Sequence, residues 1–133
     1  MKVAGFGEIM LRLSTDLGKM ILQSDRFNVN YGGGEANVLI SLSHFGIDTK
    51  MITSVSNDDI GKSILRYLRS YDIDTEFVTL SDHRTGIYYL QVGSGIRSSK
   101  VIYDRDNSAF CNMKLEIFFS NSILKCPLIS FIK

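Results

Sequence analysis

Two groups of residues in this chain of 133 could bind a small polar ligand. The first is the turn Gly32-Gly33-Gly34, followed by Asn37 in a segment with helical spacing. Glycines let a backbone approach a ligand closely, and the free N–H groups at a helix start favour anionic or hydroxyl-rich ligands. The amide of Asn37 can both donate and accept hydrogen bonds. The pattern fits a ligand-binding turn, or equally a tight turn before a packed helix.

The second group contains Tyr89, Tyr103 and Arg105, with Asp104 and Asp106 on either side of the arginine. A guanidinium forms bidentate pairs with carboxylate or phosphate, so Arg105 suits an anionic group. The two phenols could hydrogen-bond sugar hydroxyls while their rings stack on the sugar carbons. The alternative is a surface charge cluster in which Arg105 pairs with its acidic neighbours.

A third segment, Gly61-Lys62-Ser63, imitates the end of a phosphate-binding loop. Ser56 stands where such a loop requires a glycine, and the carboxylates of Asp58 and Asp59 would repel phosphate. Lys62 is therefore interpreted as a solvated residue on a helix.

Other chemistries are disfavoured. His44 and His83 lack Cys or acidic partners at ligand spacing, so no metal site is predicted, and no serine nucleophile elbow indicates a hydrolase. Because 15 Lys+Arg balance 14 Asp+Glu without a basic cluster, nucleic acid and anionic membrane are not expected partners. No signal peptide or membrane-spanning run is evident, so a cytoplasmic location with Cys111 and Cys126 as reduced thiols is expected.

The elements that position these residues alternate between strand and helix. Helical spacing predicts one helix from Ala36 to a stop at Gly46, and a second over residues 60–68 after capping side chains. Apolar or alternating runs predict β-strands at residues 2–6, 9–14 and 50–55, and a further strand is predicted at residues 76–80. This order predicts an α/β sheet with right-handed crossovers.

Residues 86–92 and 97–104 are strand-like runs with no helix between them, which predicts a β-hairpin. Period-two alternation places Tyr88 and Tyr89 on opposite faces, and both faces carry apolar or aromatic side chains. Such a hairpin would cover a site or pair with another subunit.

The composition changes near residue 110. All 11 glycines precede that point, whereas both cysteines and the only proline, Pro127, follow it. We therefore divide the chain into an informative part, residues 1–110, and a divergent tail, residues 111–133. The tail is either a terminal element that docks on the core or the foreign end of an interrupted protein.

In their order and spacing, the motifs resemble the N-terminal half of the ribokinase-like (PfkB) carbohydrate kinases, most closely the 2-keto-3-deoxygluconate kinase branch. The resemblance covers about residues 1–110. The motifs that carry it are Gly7-Glu8-Ile9-Met10-Leu11-Arg12-Leu13, Gly32-Gly33-Gly34-Glu35-Ala36-Asn37-Val38, Asn57-Asp58-Asp59-Ile60-Gly61, Thr85-Gly86 with Tyr88-Tyr89, and the segment from Arg97 to Arg105 with Ser108-Ala109-Phe110.

This resemblance implies a three-layer α/β core, incomplete here, with a small β-sheet lid that often pairs two subunits into a homodimer. It implies transfer of the γ-phosphoryl group of ATP, with Mg²⁺, to a sugar acid such as 2-keto-3-deoxygluconate. It also implies substrate contacts from Gly33, Gly34, Asn37, Tyr89, Tyr103 and Arg105.

Two departures from the family pattern bear directly on the substrate and on catalysis. Arg12 stands where many members carry an Asp for sugar hydroxyls, which suits an acidic substrate better than a neutral hexose. The second family signature, a Gly-Ala-Gly-Asp loop that holds the transferring phosphate and supplies the general base, is not among these residues, and neither is the nucleotide site. We therefore expect a truncated kinase, inactive alone and without bound ATP or Mg²⁺. The alternative is a non-catalytic sugar-binding or dimerisation module.

Overall fold

The computed structural model describes residues 2–114 and 128–129, which form two four-stranded sheets and two α-helices. The mixed α/β class predicted from the sequence is confirmed. The first sheet has the order β5-β4-β1-β8, and all of its pairs are parallel. Its strands are β1 (Lys2–Phe6), β4 (Asp48–Ser56), β5 (Val78–Ser81) and β8 (Leu128–Ile129).

Both helices pack on one face of this sheet. They are α1 (Gly34–His44) and α2 (Asp59–Arg69). Leu39 of α1 and Ile64 and Leu68 of α2 are fully buried against the sheet residues Met51 and Val55. On the opposite face lies a smaller cluster whose residues are Ala4, Ile52, Phe77, Phe6 and Met113. A sheet covered on both faces explains why β1 and β4 are buried along most of their length.

The second sheet has the order β3-β2-β6-β7 and rests beside the first. Its strands are β2 (Met10–Ser14), β3 (Asn28–Gly32), β6 (Ile87–Gln91) and β7 (Lys100–Asp104). The pair β6–β7 is antiparallel, as the predicted hairpin requires, and β6 also pairs in parallel with β2. Every residue of β7 is exposed, and β7 is an edge strand of the sheet formed by the described residues.

The element boundaries shift by a few residues from those expected. Helix α1 starts two residues early, at Gly34, and Gly46 stops it with a φ of 76°. Strand β5 begins at Val78, not residue 76, because the chain turns before it: the Val78 N–H donates to the Thr75 carbonyl at 3.0 Å. The predictions for the tail fall mostly on residues 115–127 and 130–133, outside the described residues.

Helix α2 begins with a side-chain cap. Asp58 Oδ1 accepts hydrogen bonds from the N–H groups of Ile60 at 2.9 Å and Gly61 at 3.0 Å. The Ser56 hydroxyl donates to the same oxygen at 2.6 Å. The Ser56 hydroxyl, followed by the Gly61 N–H, lowers the pKa of Asp58 below its ordinary value because both stabilise the ionised carboxylate.

We predict that Asp58→Ala lowers the free energy of unfolding by about 1 kcal/mol, because an N-cap is lost. Asp59→Ala is the matched control, since that neighbouring carboxylate is fully exposed. The cap stabilises only while ionised, so the difference between wild type and Asp58→Ala should shrink as the pH falls through the lowered pKa. Urea unfolding at several pH values measures this. Equal stability of both variants at neutral pH would contradict it.

Candidate functional site

A buried carboxylate, Glu8, lies in the connection between β1 and β2. Its side chain is only 3% exposed. The Ser108 hydroxyl donates to Glu8 Oε1 at 2.6 Å, and Arg105 Nη2 lies 2.7 Å from Glu8 Oε2. The arginine contact is a charge pair without hydrogen-bond alignment, since Oε2 accepts no hydrogen bond. Glu8 thus ties the start of the chain to residues a hundred positions later.

Two glycines make room for Glu8. A Cβ atom at Gly33 would overlap the Glu8 carbonyl oxygen, and a Cβ atom at Gly86 would overlap Glu8 Oε1. The backbone of Gly33 is extended, so close approach and not dihedral freedom requires glycine there. The glycine turn and the start of β6 therefore both pack directly against this residue.

The geometry separates the two interpretations of Arg105. The carboxylate of Asp104 lies 2.6 Å from Arg84 Nη2, and Arg84 also donates to the carbonyl of Asp106 at 3.0 Å. Arg105 instead pairs with Glu8 across the fold. Its side chain is 39% exposed, so a ligand can still reach it. The acidic neighbours in sequence are therefore not its partners.

Strand register decides which aromatic residues share a face of the second sheet. Tyr88 pairs with Arg12 of β2 and with Tyr103 of β7, and directly paired residues project to the same face. The rings of Tyr88 and Tyr103 lie 6.0 Å apart. Tyr89 projects from the opposite face, where its ring packs edge-on against Phe27 at 5.8 Å. The structure thus separates Tyr89 from Tyr103 and groups Tyr103 with Tyr88.

The glycine turn lies at the edge of the same face. A side chain at Gly32 would overlap the Tyr88 hydroxyl, so this phenol lies directly over the end of β3. Gly33 is the N-cap of α1, and Gly34 and Asn37 are exposed in its first turn. Of the predicted residues, the turn, Tyr103 and Arg105 therefore converge through Tyr88 and Glu8.

Arg12 contributes an uncompensated cation to this face. Its Nε is buried and has no acceptor, and none of the described carboxylates forms an ion pair with it. Burial, and then Tyr71, raise the pKa of the Tyr67 hydroxyl, whereas Arg12 acts in the opposite direction. Arg12 is therefore close enough to α2 to act on Tyr67 electrostatically. Buried donors are normally satisfied, so an anionic or carbonyl ligand would complete this site.

Four residues of this site, Tyr88, Glu8, Ser108 and Arg12, are not among the substrate-binding residues predicted from the sequence. Tyr88 could have been found by extending the hairpin alternation to Tyr103 across the strand pair. The burial of Glu8, its partner Ser108 and the unsatisfied Nε of Arg12 depend on contacts between distant segments, which no local pattern encodes.

The described residues do not fit the phosphates of a nucleotide at the loop-like segment before α2. The N–H groups that would hold phosphate are occupied by the Asp58 carboxylate, and the Ser56 carbonyl fills the space beside Gly61. Within residues 2–114, no three His, Cys, Asp or Glu side chains cluster as metal ligands do. In the same part of the chain, no helix is long and apolar enough to cross a membrane.

An open cleft of about 310 Å³ lies beside the site. It is lined by Tyr31, Ser63, Arg66, Tyr67 and Ser70. None of the six substrate-binding residues predicted from the sequence lines it. The cleft adjoins the face that carries Arg12 and Tyr103, since Arg12 acts electrostatically on Tyr67, but neither Arg12 nor Tyr103 lines it.

Comparison with known proteins finds relatives that are named as kinases of sugars or of their acid derivatives. The chain is 41% identical to the crystal structure of 2-dehydro-3-deoxygluconokinase from Thermotoga maritima, with a TM-score of 0.92 over 98% of this chain and 40% of that one. It is 30% identical to 2-dehydro-3-deoxygalactonokinase from Haloferax volcanii over 78% of this chain and 33% of the relative. A sugar kinase from Pyrococcus horikoshii, crystallised with ATP, is 27% identical, with a TM-score of 0.79 over 86% of this chain and 37% of that one.

The chain thus spans about a third to two fifths of the length of these relatives. The family of pfkB carbohydrate kinases matches residues 1–127, which extends past the composition change near residue 110. With the ribokinase-like fold of its structural neighbours confirmed, the chain belongs to the pfkB family of carbohydrate kinases.

Proposed function

We propose that this chain is the substrate-recognition part of a kinase for a sugar acid such as 2-keto-3-deoxygluconate. The observation that carries the proposal is the face formed by Arg12, Tyr88 and Tyr103, with Arg105 at its edge. It offers a cation without a counter-charge beside two phenols, and such a set binds a carboxylate together with hydroxyls. A neutral hexose would leave the charge of Arg12 uncompensated. Relatives named for sugar-acid substrates support the same class.

In this proposal the substrate-binding set is Gly33, Gly34, Asn37, Tyr103 and Arg105, with Tyr88 in the position first expected for Tyr89. The turn residues lie where exposed backbone and the Asn37 amide can reach hydroxyls. Tyr89 packs against Phe27 on the other face, which is a structural role within the sheet.

Phosphoryl transfer from ATP with Mg²⁺ is the activity we propose for the family architecture, in the cytoplasm where ATP is available. Transfer depends on groups that position the phosphate and stabilise its charge. The Gly-Ala-Gly-Asp motif does not occur among these 133 residues, and the segment before α2 does not fit phosphate. We therefore propose that these residues bind and orient the sugar acid but do not transfer phosphate by themselves.

A second candidate function, subunit pairing, has its own support in strand β7. Its backbone edge is unpaired in the described sheet, and Val101, Ile102 and Tyr103 are 42%, 43% and 55% exposed. Open apolar edges are templates for strand pairing, so β7 supports a homodimer formed through the second sheet. Such a homodimer is compatible with substrate binding.

The first test is calorimetric titration of the purified chain with 2-keto-3-deoxygluconate, beside an ATP-coupled phosphorylation assay. We expect saturable binding without ATP-dependent turnover. Turnover by the chain, free of contaminating enzyme, would contradict the division of roles. Absence of sugar-acid binding by a folded chain would contradict the recognition role.

The second test concerns Arg105. Charged hydrogen bonds contribute about 1.5–3 kcal/mol, so Arg105→Ala should weaken sugar-acid binding by about tenfold or more. Binding of the same sugar with a hydroxymethyl group in place of the carboxylate should change little. Arg26→Ala, which removes a cation paired with Asp16 elsewhere, is the matched control. Equal losses for both ligands would refute the assigned role.

A further inference from the structure

We propose that Glu8 is a positioning residue for Arg105: its buried carboxylate holds the guanidinium at the place where it receives the ligand's acid group. This inference rests on the proposed function and assigns the control of that site to a residue that itself does not touch substrate. The two side chains differ in burial, 3% exposed for Glu8 against 39% for Arg105. The fixed partner is therefore the carboxylate, and the partner that faces a ligand is the arginine.

The orientation of the Glu8 carboxylate is set before Arg105 is considered. The Ser108 hydroxyl donates a hydrogen bond to Oε1 at 2.6 Å, and Gly86 lies against the same oxygen with no room for a side chain. Oε2 is then left toward Arg105 at 2.7 Å. A buried carboxylate without a cation would be strongly unfavourable, so the pair constrains where the guanidinium can lie.

The contact leaves the rest of the guanidinium available. Arginine has five N–H donors in a fixed planar arrangement, and Nη2 makes the contact between Arg105 and Glu8. Nε and Nη1 of Arg105 donate to none of the described residues. A second carboxylate can therefore bind the guanidinium while Glu8 restrains the position of Nη2, which reduces the side-chain entropy lost on binding.

Ser108 serves the same arrangement from the other side. Its hydroxyl is fully buried, and it also accepts the Cys111 N–H at 3.3 Å. The turn after β7 is thereby fixed relative to Glu8, and this turn begins at Arg105 itself. Loss of the hydroxyl should loosen the carboxylate without removing its charge.

The test is a double-mutant cycle between Glu8→Gln and Arg105→Ala, read as affinity for 2-keto-3-deoxygluconate and for its hydroxymethyl analogue. Glu8→Gln keeps the size of the side chain and removes its charge. Alone it should weaken sugar-acid binding about tenfold and leave the analogue within about twofold. In the Arg105→Ala background it should have no further effect on the sugar acid, because the residue it positions is gone.

Several outcomes would overturn the inference. Additive losses, equal losses for both ligands, or tighter sugar-acid binding by Glu8→Gln would show that Glu8 acts on general stability or merely masks the charge of Arg105.

Ser108→Ala, which keeps the ion pair, provides a milder variant should Glu8→Gln unfold, with a smaller but equally selective loss expected. Glu76→Gln, which removes an exposed carboxylate paired with Lys50, is the matched control. If the unaltered, folded chain binds neither ligand, the proposed function itself fails, which is a different result from nonselective losses.

Discussion

A carboxylate buried in the connection between the two sheets must be compensated where it lies, and the arrangement around Glu8 satisfies this constraint. Its two oxygens are met by a hydroxyl and a cation contributed by the turn that follows β7. Residues 33 and 86, which lie against Glu8, must also be glycines, because any side chain at either position would collide with it. One side chain therefore couples the glycine turn, the start of β6 and the residues after β7. Each of these segments contributes to the candidate ligand face.

The same constraint separates the charges of the site into two kinds. Arg105 is partly neutralised and held in place, whereas Arg12 has a buried donor without an acceptor. A ligand with one carboxylate and several hydroxyls would compensate the charge of Arg12 while also contacting Arg105. The second sheet thus contributes recognition, and the first sheet with its two helices provides the rigid support on which the glycine turn is mounted.

Much of the fold could be predicted because it follows from local patterns. The apolar run of β1, the alternation within β4, the capping carboxylate of Asp58 and the stop at Gly46 each depend on a few adjacent residues, and they lie where expected. The candidate site was harder to predict from the sequence. Alternation within β6 separates Tyr88 from Tyr89, but only the register with β7 shows that Tyr88 is the partner of Tyr103. The pairing of Arg105 with Glu8 spans nearly the whole described chain, so proximity in sequence favoured Asp104 and Asp106 instead.

The most direct measurement of the central claim is the ¹⁵N–¹H spectrum of the arginine side chains during titration with 2-keto-3-deoxygluconate. The Nε–H resonances of Arg12 and Arg105 should shift together and saturate at the same ligand concentration, while that of Arg84, paired with Asp104, stays in place. Saturable binding with both resonances unmoved would contradict the account, because the ligand would then lie somewhere other than this face.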